Sequence, residues 1–192
     1  DGINAENILL VKSWSAKTPI HKWLSSIKSI TKQANKLKAK DISFVMNSSY
    51  PNNKDAFWMI ESVSKTIESN AYIFTETKNK TVKKPTLKKL VLFVSDMSPS
   101  DLRKAKSAAK KGFAIGEGVN TAKYLGDLPA NHATPKIIEK KVKAMTKDFP
   151  NLKVKSFNEK DLAKMGMGSY LSVAKGSDEP PRMMVIEYKG AK

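Results

Sequence analysis

The sequence predicts an α/β protein, and three observations carry that expectation. Short, apolar, β-branched stretches alternate with amphipathic helical stretches through the first half of the chain. A run from Pro99 to about Leu125 holds no second proline and reads as one long helix. After it, the junction "LPANHATP" (residues 128–135) breaks the pattern with two prolines and capping residues, and a second α/β pattern follows.

The elements follow in order. "NILLVKSW" (residues 7–14) is apolar and strand-like. "HKWLSSIKSITKQANKL" sets Trp23, Leu24, Ile27, Ile30 and Ala34 near a 3.6-residue repeat, an amphipathic helix. "DISFVMN" (41–47) is a short strand, and Pro51 with Asn52 and Asn53 breaks the chain. "AFWMIESVSKTIESN" puts Phe57, Ile60, Val63 and Ile67 on one helical face. "AYIFTET" and "KKLVLFVSD" (88–96) read as further strands. Trp14, Trp23, Phe57 and Trp58 are expected in the core of this layer rather than in a ligand site.

The long helix opens on strong signals. Ser98 is a natural N-cap, Pro99 takes the first helical position, and Asp101 completes the reciprocal cap. Roughly 27 residues at ~1.5 Å each give ~40 Å. Small residues recur along it at Ala105, Ala108, Ala109, Gly112, Gly116 and Ala122. A helical glycine costs ~0.8–1 kcal/mol against alanine, so Gly112, Gly116 and Gly118 need an offset. Close approach of a neighbouring helix supplies one. Phosphate binding does not, because mid-helix amides already donate to their own backbone, and no G-x-x-x-x-G-K-[ST] is present.

The helix is expected to end at Gly126, in a left-handed cap, before Pro129. Thr134 caps the next helix, with Pro135 first in it and Ile138, Val142, Met145 and Phe149 turned inward. "NLKVKSF" alternates as a strand, Asn158 caps a short helix stopped by Gly166, and "GSYLSVAKGS" reads as strand then turn. "RMMVIEY" (182–188) is apolar on both faces, as an inner parallel strand should be.

Composition narrows the function classes. The absence of cysteine excludes disulfides and thiolate chemistry and fits a cytoplasmic setting. No run of ~18 apolar residues predicts a membrane span, and no leader pattern opens the chain at Asp1, where an earlier natural start is expected to be missing. The net charge is +17, yet 33 of the 35 basic residues are lysine, with only Arg103 and Arg182 as arginine. Residues 1–98 carry 16 lysines against 8 acids, and residues 99–192 carry 19 basic residues against 10 acids. Charge spread so evenly, and so poor in the arginine that clamps phosphate and reads bases, fits a solvated surface. A basic nucleic-acid-binding module is the alternative, kept open by clusters such as Lys83, Lys84, Lys88 and Lys89.

The last third is more specific. "TAKYLGDLPANHATP", then Leu162 to Gly168, then the Val173 to Arg182 loop, then Glu187, Tyr188 and Gly190 resemble, in order and spacing, the leucyl aminopeptidase family of two-metal cytosolic aminopeptidases. The resemblance covers residues 112–192; residues 1–98 agree only in position and coarse pattern. Tyr124 and Asp127 depart from the family's usual aspartate and asparagine.

That resemblance implies a three-layer N-terminal α/β domain (macro-like) over 1–98, a connecting helix over 99–128, and the beginning of an α/β/α catalytic domain over 129–192. It implies a parent enzyme that removes N-terminal residues, leucine preferred, using two zinc or manganese ions and assembling as a hexamer. The family's metal-ligating lysine, aspartates and glutamate, with its catalytic lysine and arginine, follow the Glu187–Gly190 motif. No catalytic, cofactor-binding or metal residue is therefore assigned here; all are expected beyond Lys192. The remainder of the catalytic domain becomes the first partner, and this stretch is expected to be inactive alone, a scaffold or assembly part.

The residues by themselves agree. His21 and His132 are far apart and no H-E-x-x-H exists. Asp178 and Glu179 sit beside Pro180 and Pro181 in a turn; Ser177 has neither a G-x-S-x-G elbow nor a histidine base. Glu187 on the last strand is expected to serve packing. At ~25 cal/mol per Å² of apolar surface, leaving "MMVIEY" half uncovered would cost several kcal/mol, so those residues are expected to pack poorly or to pair with a neighbour.

Overall fold

A computed structural model describes residues 7–10, 15–46, 51, 54–78, 82, 86–94 and 97–190. The chain forms two compact units, Asp1–Gly126 and Asp127–Lys192, and the fold is mixed α/β as the alternating pattern predicts.

In the first unit, α1 (Ile20–Lys36) leads to β1 (Asp41–Met46), α2 (Ala56–Ala71), β2 (Lys89–Val94) and α3 (Pro99–Asp127). β1 and β2 pair in parallel, from Asp41 opposite Lys89 to Met46 opposite Val94, so α2 lies in the crossover that parallel pairing requires. Strand alternation turns Phe44 and Met46 into the core and leaves Val45 76% exposed. α1 buries Trp23, Ile27, Ile30 and Ala34, one face of a 3.6-residue repeat. α2 adds Met59, Ile60, Val63 and Ile67, and these side chains meet Ala105 of α3 in one cluster. Each large side chain so buried contributes ~1.5–3 kcal/mol.

Asp55 caps α2 by accepting the Trp58 N–H at 2.7 Å. α2 is buried more widely than its apolar face alone requires: Ser62, Ser64 and Thr66 are also enclosed. Trp23 is fully buried, whereas Phe57 and Trp58 are half-buried at the edge of the cluster; Trp14 lies outside the described residues. Ser98 caps α3 as expected, its hydroxyl accepting the Asp101 N–H at 3.1 Å and donating to the Asp101 carboxylate at 2.8 Å.

Three readings of this half are corrected. Residues 7–10 form no strand, and residues 11–14 lie outside the described set. "AYIFTET" is not a strand: α2 runs to Ala71 and residues 72–75 leave it without a ladder partner. Its aromatic residues dock sideways instead, with the Phe74 and Tyr124 rings 6.2 Å apart. α3 does not stop at a left-handed Gly126; that glycine is helical, and the only positive-φ glycine among the described residues is Gly166. Pro129 sets the end, since it cannot donate to a carbonyl one turn back and disfavours helix at Leu128.

The second unit contains α4 (Pro135–Asp148), β3 (Leu152–Phe157), α5 (Glu159–Lys164), α6 (Gly168–Ala174) and β4 (Met183–Tyr188). Thr134 caps α4 through the Ile137 N–H at 3.4 Å, with Pro135 in the first turn. Asn158 and Asp161 form a full capping box on α5. Gly166, at φ +69°, ends α5: its N–H donates to Ala163 and the Met167 N–H donates to Leu162, a Schellman arrangement over the fully buried Leu162 side chain.

Here too expectation and structure differ. "GSYLSVA" is the helix α6 rather than a strand; seven residues that mix Tyr and Val with Leu and Ala fit either state by propensity, and the tight Gly166–Met167 exit from α5 delivers the chain directly into another helical turn. β4 pairs with β3 antiparallel, not parallel, from Leu152 opposite Tyr188 to Phe157 opposite Met183. Apolar residues on both faces report what a strand is meant to bury, not its direction. In this structure Val185, Ile186 and Tyr188 are 47, 53 and 67% exposed. On α4, Ile138 and Val142 are half-buried while Met145 and Phe149 are exposed.

Candidate functional site

Two constellations stand out, one in each unit. The first is the seam between α2 and α3. A methyl group placed on Gly112 would lie 2.1 Å from the Glu61 carbonyl oxygen, and one on Gly116 would lie 2.6 Å from Glu68 Cβ. Nothing lies within 4 Å of the corresponding point on Gly118. Gly112 and Gly116 therefore permit backbone-to-backbone approach, which offsets their helical penalty, and the packing role expected for them is the one observed. Beyond the glycines, polar side chains of α3 continue the seam. Asn120 Nδ2 donates to the Glu68 carbonyl at 3.1 Å and to Glu68 Oε1 at 3.2 Å. Lys123 donates to the Ser69 carbonyl, and the Tyr124 hydroxyl donates to the Glu76 carboxylate. Lys111 pairs with Glu61 at 3.0 Å. Tyr124, one of the departures from the family pattern, thus has a defined local role in holding residues 74–76.

The second constellation is centred on Glu139 of α4. Lys143 Nζ donates to its Oε1 at 2.5 Å, Ser156 Oγ donates to the same oxygen at 2.7 Å, and Arg182 Nε donates to Oε2 at 2.8 Å. The Glu139 and Arg182 side chains are only 15 and 19% exposed. Arg182 Nη1 also donates to the Pro181 carbonyl, and the Tyr170 hydroxyl donates to the Arg182 carbonyl, both at 2.8 Å. One carboxylate thereby ties α4, β3 and the start of β4 together. The Lys143 ammonium, then the Ser156 hydroxyl and Arg182, hold the Glu139 carboxyl well below its usual range, at about 2. Beside this network lies an open cavity of about 370 Å³ walled by Pro135, Tyr170, Val173, Pro181 and Arg182.

The residues weighed for chemistry are not gathered. His21 and His132 are both exposed, in different units. Asp178 and Glu179 are exposed in the loop, where the Glu179 N–H donates to Ser177 Oγ at 3.1 Å. Glu187 is exposed, 3.8 Å from Lys189. Among the described residues no three His, Asp or Glu side chains lie together as a metal ion would require, and no helix is long and apolar enough to cross a membrane.

Sequence reasoning missed Glu139 and the Glu68–Asn120 pair, whose members lie 43 and 52 residues from their partners. One signal was available. Arg182 is one of only two arginines among 35 basic residues, and a low-exposure ion pair is where the planar guanidinium outperforms an ammonium.

Comparison with known proteins follows the same path along the chain. Residues 120–192 match the model of the cytosol aminopeptidase family, catalytic domain. A probable cytosol aminopeptidase of Alkalilimnicola ehrlichii is 38% identical over 72% of this chain and 28% of its own length. The cytosol aminopeptidase of Pseudomonas aeruginosa is 31% identical over 99% of this chain and 38% of its own length. The likeness therefore extends through the first half, where the motifs alone were silent. The chain spans 28 to 38% of the length of these relatives. Among solved structures, a mutant of tomato leucine aminopeptidase superposes with a TM-score of 0.74 at 19% identity, covering 93% of this chain and 35% of that one. The bottromycin maturation enzyme BotP in complex with Mn gives 0.72 at 16%, covering 91% and 34%; at such identities these two show the fold. Taken with the ordered motifs from Thr121 to Gly190, these matches show that the chain belongs to the cytosol aminopeptidase family.

Proposed function

We propose that this chain supplies the N-terminal domain (1–98), the connecting helix (99–128) and the first catalytic segment (129–192) of a cytoplasmic, metal-dependent aminopeptidase that releases N-terminal residues, leucine preferred, from peptides. The observation that carries the reading is the match of the family's catalytic-domain model to residues 120–192. In such an enzyme two divalent ions activate a water and polarise the scissile carbonyl. The described residues offer no cluster of ligands that fits such ions, so no step through the metal is assigned to this chain.

Its own contribution is architectural. The Glu139–Arg182 network fixes the end of the Val173 to Arg182 loop at the start of β4, and the glycine seam fixes α3 on α2. Scaffold, and a share in a hexameric assembly, is the role proposed.

The test compares the 192-residue chain with the product of the reading frame continued beyond Lys192. The extended protein is expected to hydrolyse leucine amide with manganese or zinc, and the short chain to show none. Metal-dependent turnover by the short chain would overturn the assignment.

One observation favours a second reading, a nucleic-acid-binding module. Lys136, Lys140, Lys143 and Lys147 are all exposed, at successive turns of one side of α4. Duplex DNA binding that weakens steeply with salt would support it; absence of binding at moderate salt would remove it.

A further inference from the structure

The α2–α3 seam holds a carboxyl group in a setting that neither its helix nor its charge balance explains. Glu68 lies beneath Gly116, so close that a methyl group there would meet its Cβ at 2.6 Å and its Cγ at 2.7 Å. Glu68 is half-buried there, on the α2 side of the seam. Asn120 Nδ2 donates to Glu68 Oε1 at 3.2 Å. The other end of that amide is incomplete: Asn120 Oδ1 is buried and has no hydrogen-bond partner among the described residues. A buried acceptor without a donor is destabilising, because it has given up water and gained no partner.

The surrounding charges do not stabilise an ionised Glu68. Glu117 of α3 opposes it. Lys123 is committed to the Ser69 carbonyl and lies over the Tyr72 ring, Lys111 is paired with Glu61, and Glu76 receives the Tyr124 hydroxyl. Lys65 of α2, whose carbonyl also approaches Gly116, forms no ion pair with it, and no ion pair among the described residues, from α1 or any other element, includes Glu68.

We propose that Glu68 and Asn120 form a proton-binding clasp between α2 and α3. On uptake of one proton from solvent, the neutral Glu68 carboxyl donates its O–H to Asn120 Oδ1 while Asn120 Nδ2 keeps donating to Glu68 Oε1, closing a two-bond acid–amide ring. The proton supplies the donor that the amide oxygen lacks and removes the repulsion from Glu117. Burial pushes the Glu68 carboxyl up, Glu117 pushes it further, and the Asn120 N–H opposes both. The sign follows: the folded chain binds this proton more tightly than the unfolded chain, so the seam gains stability as pH falls from neutral through the raised value toward the ordinary 4.5.

The experiment is an NMR titration of the 192-residue chain, following the Glu68 carboxyl carbon and the Asn120 side-chain amide together. The expected result is a Glu68 midpoint above 4.5, with the Asn120 amide shifting at the same midpoint and its hydrogen exchange slowing below it. A midpoint at or below the ordinary value, or an Asn120 amide indifferent to the titration, overturns the proposal. Glu68→Gln gives a second arm, because glutamine can close the same ring without a proton. It is expected to melt above wild type at neutral pH, where its ring is already closed, and to lack the stabilisation that wild type gains on acidification; parallel melting profiles for the two proteins would also overturn the proposal.

Discussion

The two units are held together by different means. In the first, α1, α2, the β1–β2 pair and α3 enclose Trp23, Ile27, Met59, Ile60 and Val63 almost completely. In the second, the buried hydrophobic residues among those described are Leu128 and Leu162, and cohesion comes from the Glu139 network, the Asn158 capping box and the β3–β4 ladder. Burial is non-directional and tolerates small shifts, whereas charge-assisted hydrogen bonds hold only over a narrow range of geometry and ionisation. Apart from the Glu68–Asn120 seam, the first unit should therefore respond to changes of volume, and the second to changes of protonation.

The largest expected effect tests the first half of that contrast. Trp23→Ala empties the most enclosed aromatic site and is expected to cost ~3–5 kcal/mol in denaturant unfolding; a loss under ~1 kcal/mol would show that the cluster does not carry the unit. Next comes Gly112→Ala, whose new methyl meets backbone rather than a flexible side chain, with an expected cost of ~2–3 kcal/mol.

The third prediction concerns the second unit. The Glu139 carboxyl is held down, so the stability it lends is complete above the ordinary 4.5 and is lost as pH falls toward about 2. Slowed exchange of the Arg182 Nε proton should disappear across that window, and its persistence below it would argue against the network. The smallest effect is a gain. Gly118→Ala meets open space and should add ~0.8–1 kcal/mol through helix propensity alone, in contrast with Gly112 two turns earlier.

Legibility in the sequence follows the same division. Periodic patterns and caps located α1, α2, α4, β1, β2, β3 and both ends of α5, because those signals are local. The start of α3 was equally plain from Ser98, Pro99 and Asp101, while its end was not: a glycine before a proline suggests a cap, yet Gly126 stays helical. "AYIFTET" and "GSYLSVA" failed because aromatic and branched residues mark what will be buried or docked, and only tertiary partners decide whether a strand results. The direction of β4 was illegible for the same reason. Of the two constellations, the glycine seam could be inferred from the energetic cost of Gly112 and Gly116. The Glu139–Arg182 and Glu68–Asn120 pairs could not, since each joins residues more than forty positions apart.

The unbroken course of α3 has one further consequence. Each residue of an α-helix advances ~100° around the axis, so Gly112, Gly116 and Asn120 face α2 only because seven intervening positions keep count between the first and last. Adding or deleting a single amino acid between Gly116 and Asn120 would swing Asn120 away from Glu68 while leaving both glycines seated. Natural length variation in related chains should accordingly spare this helix.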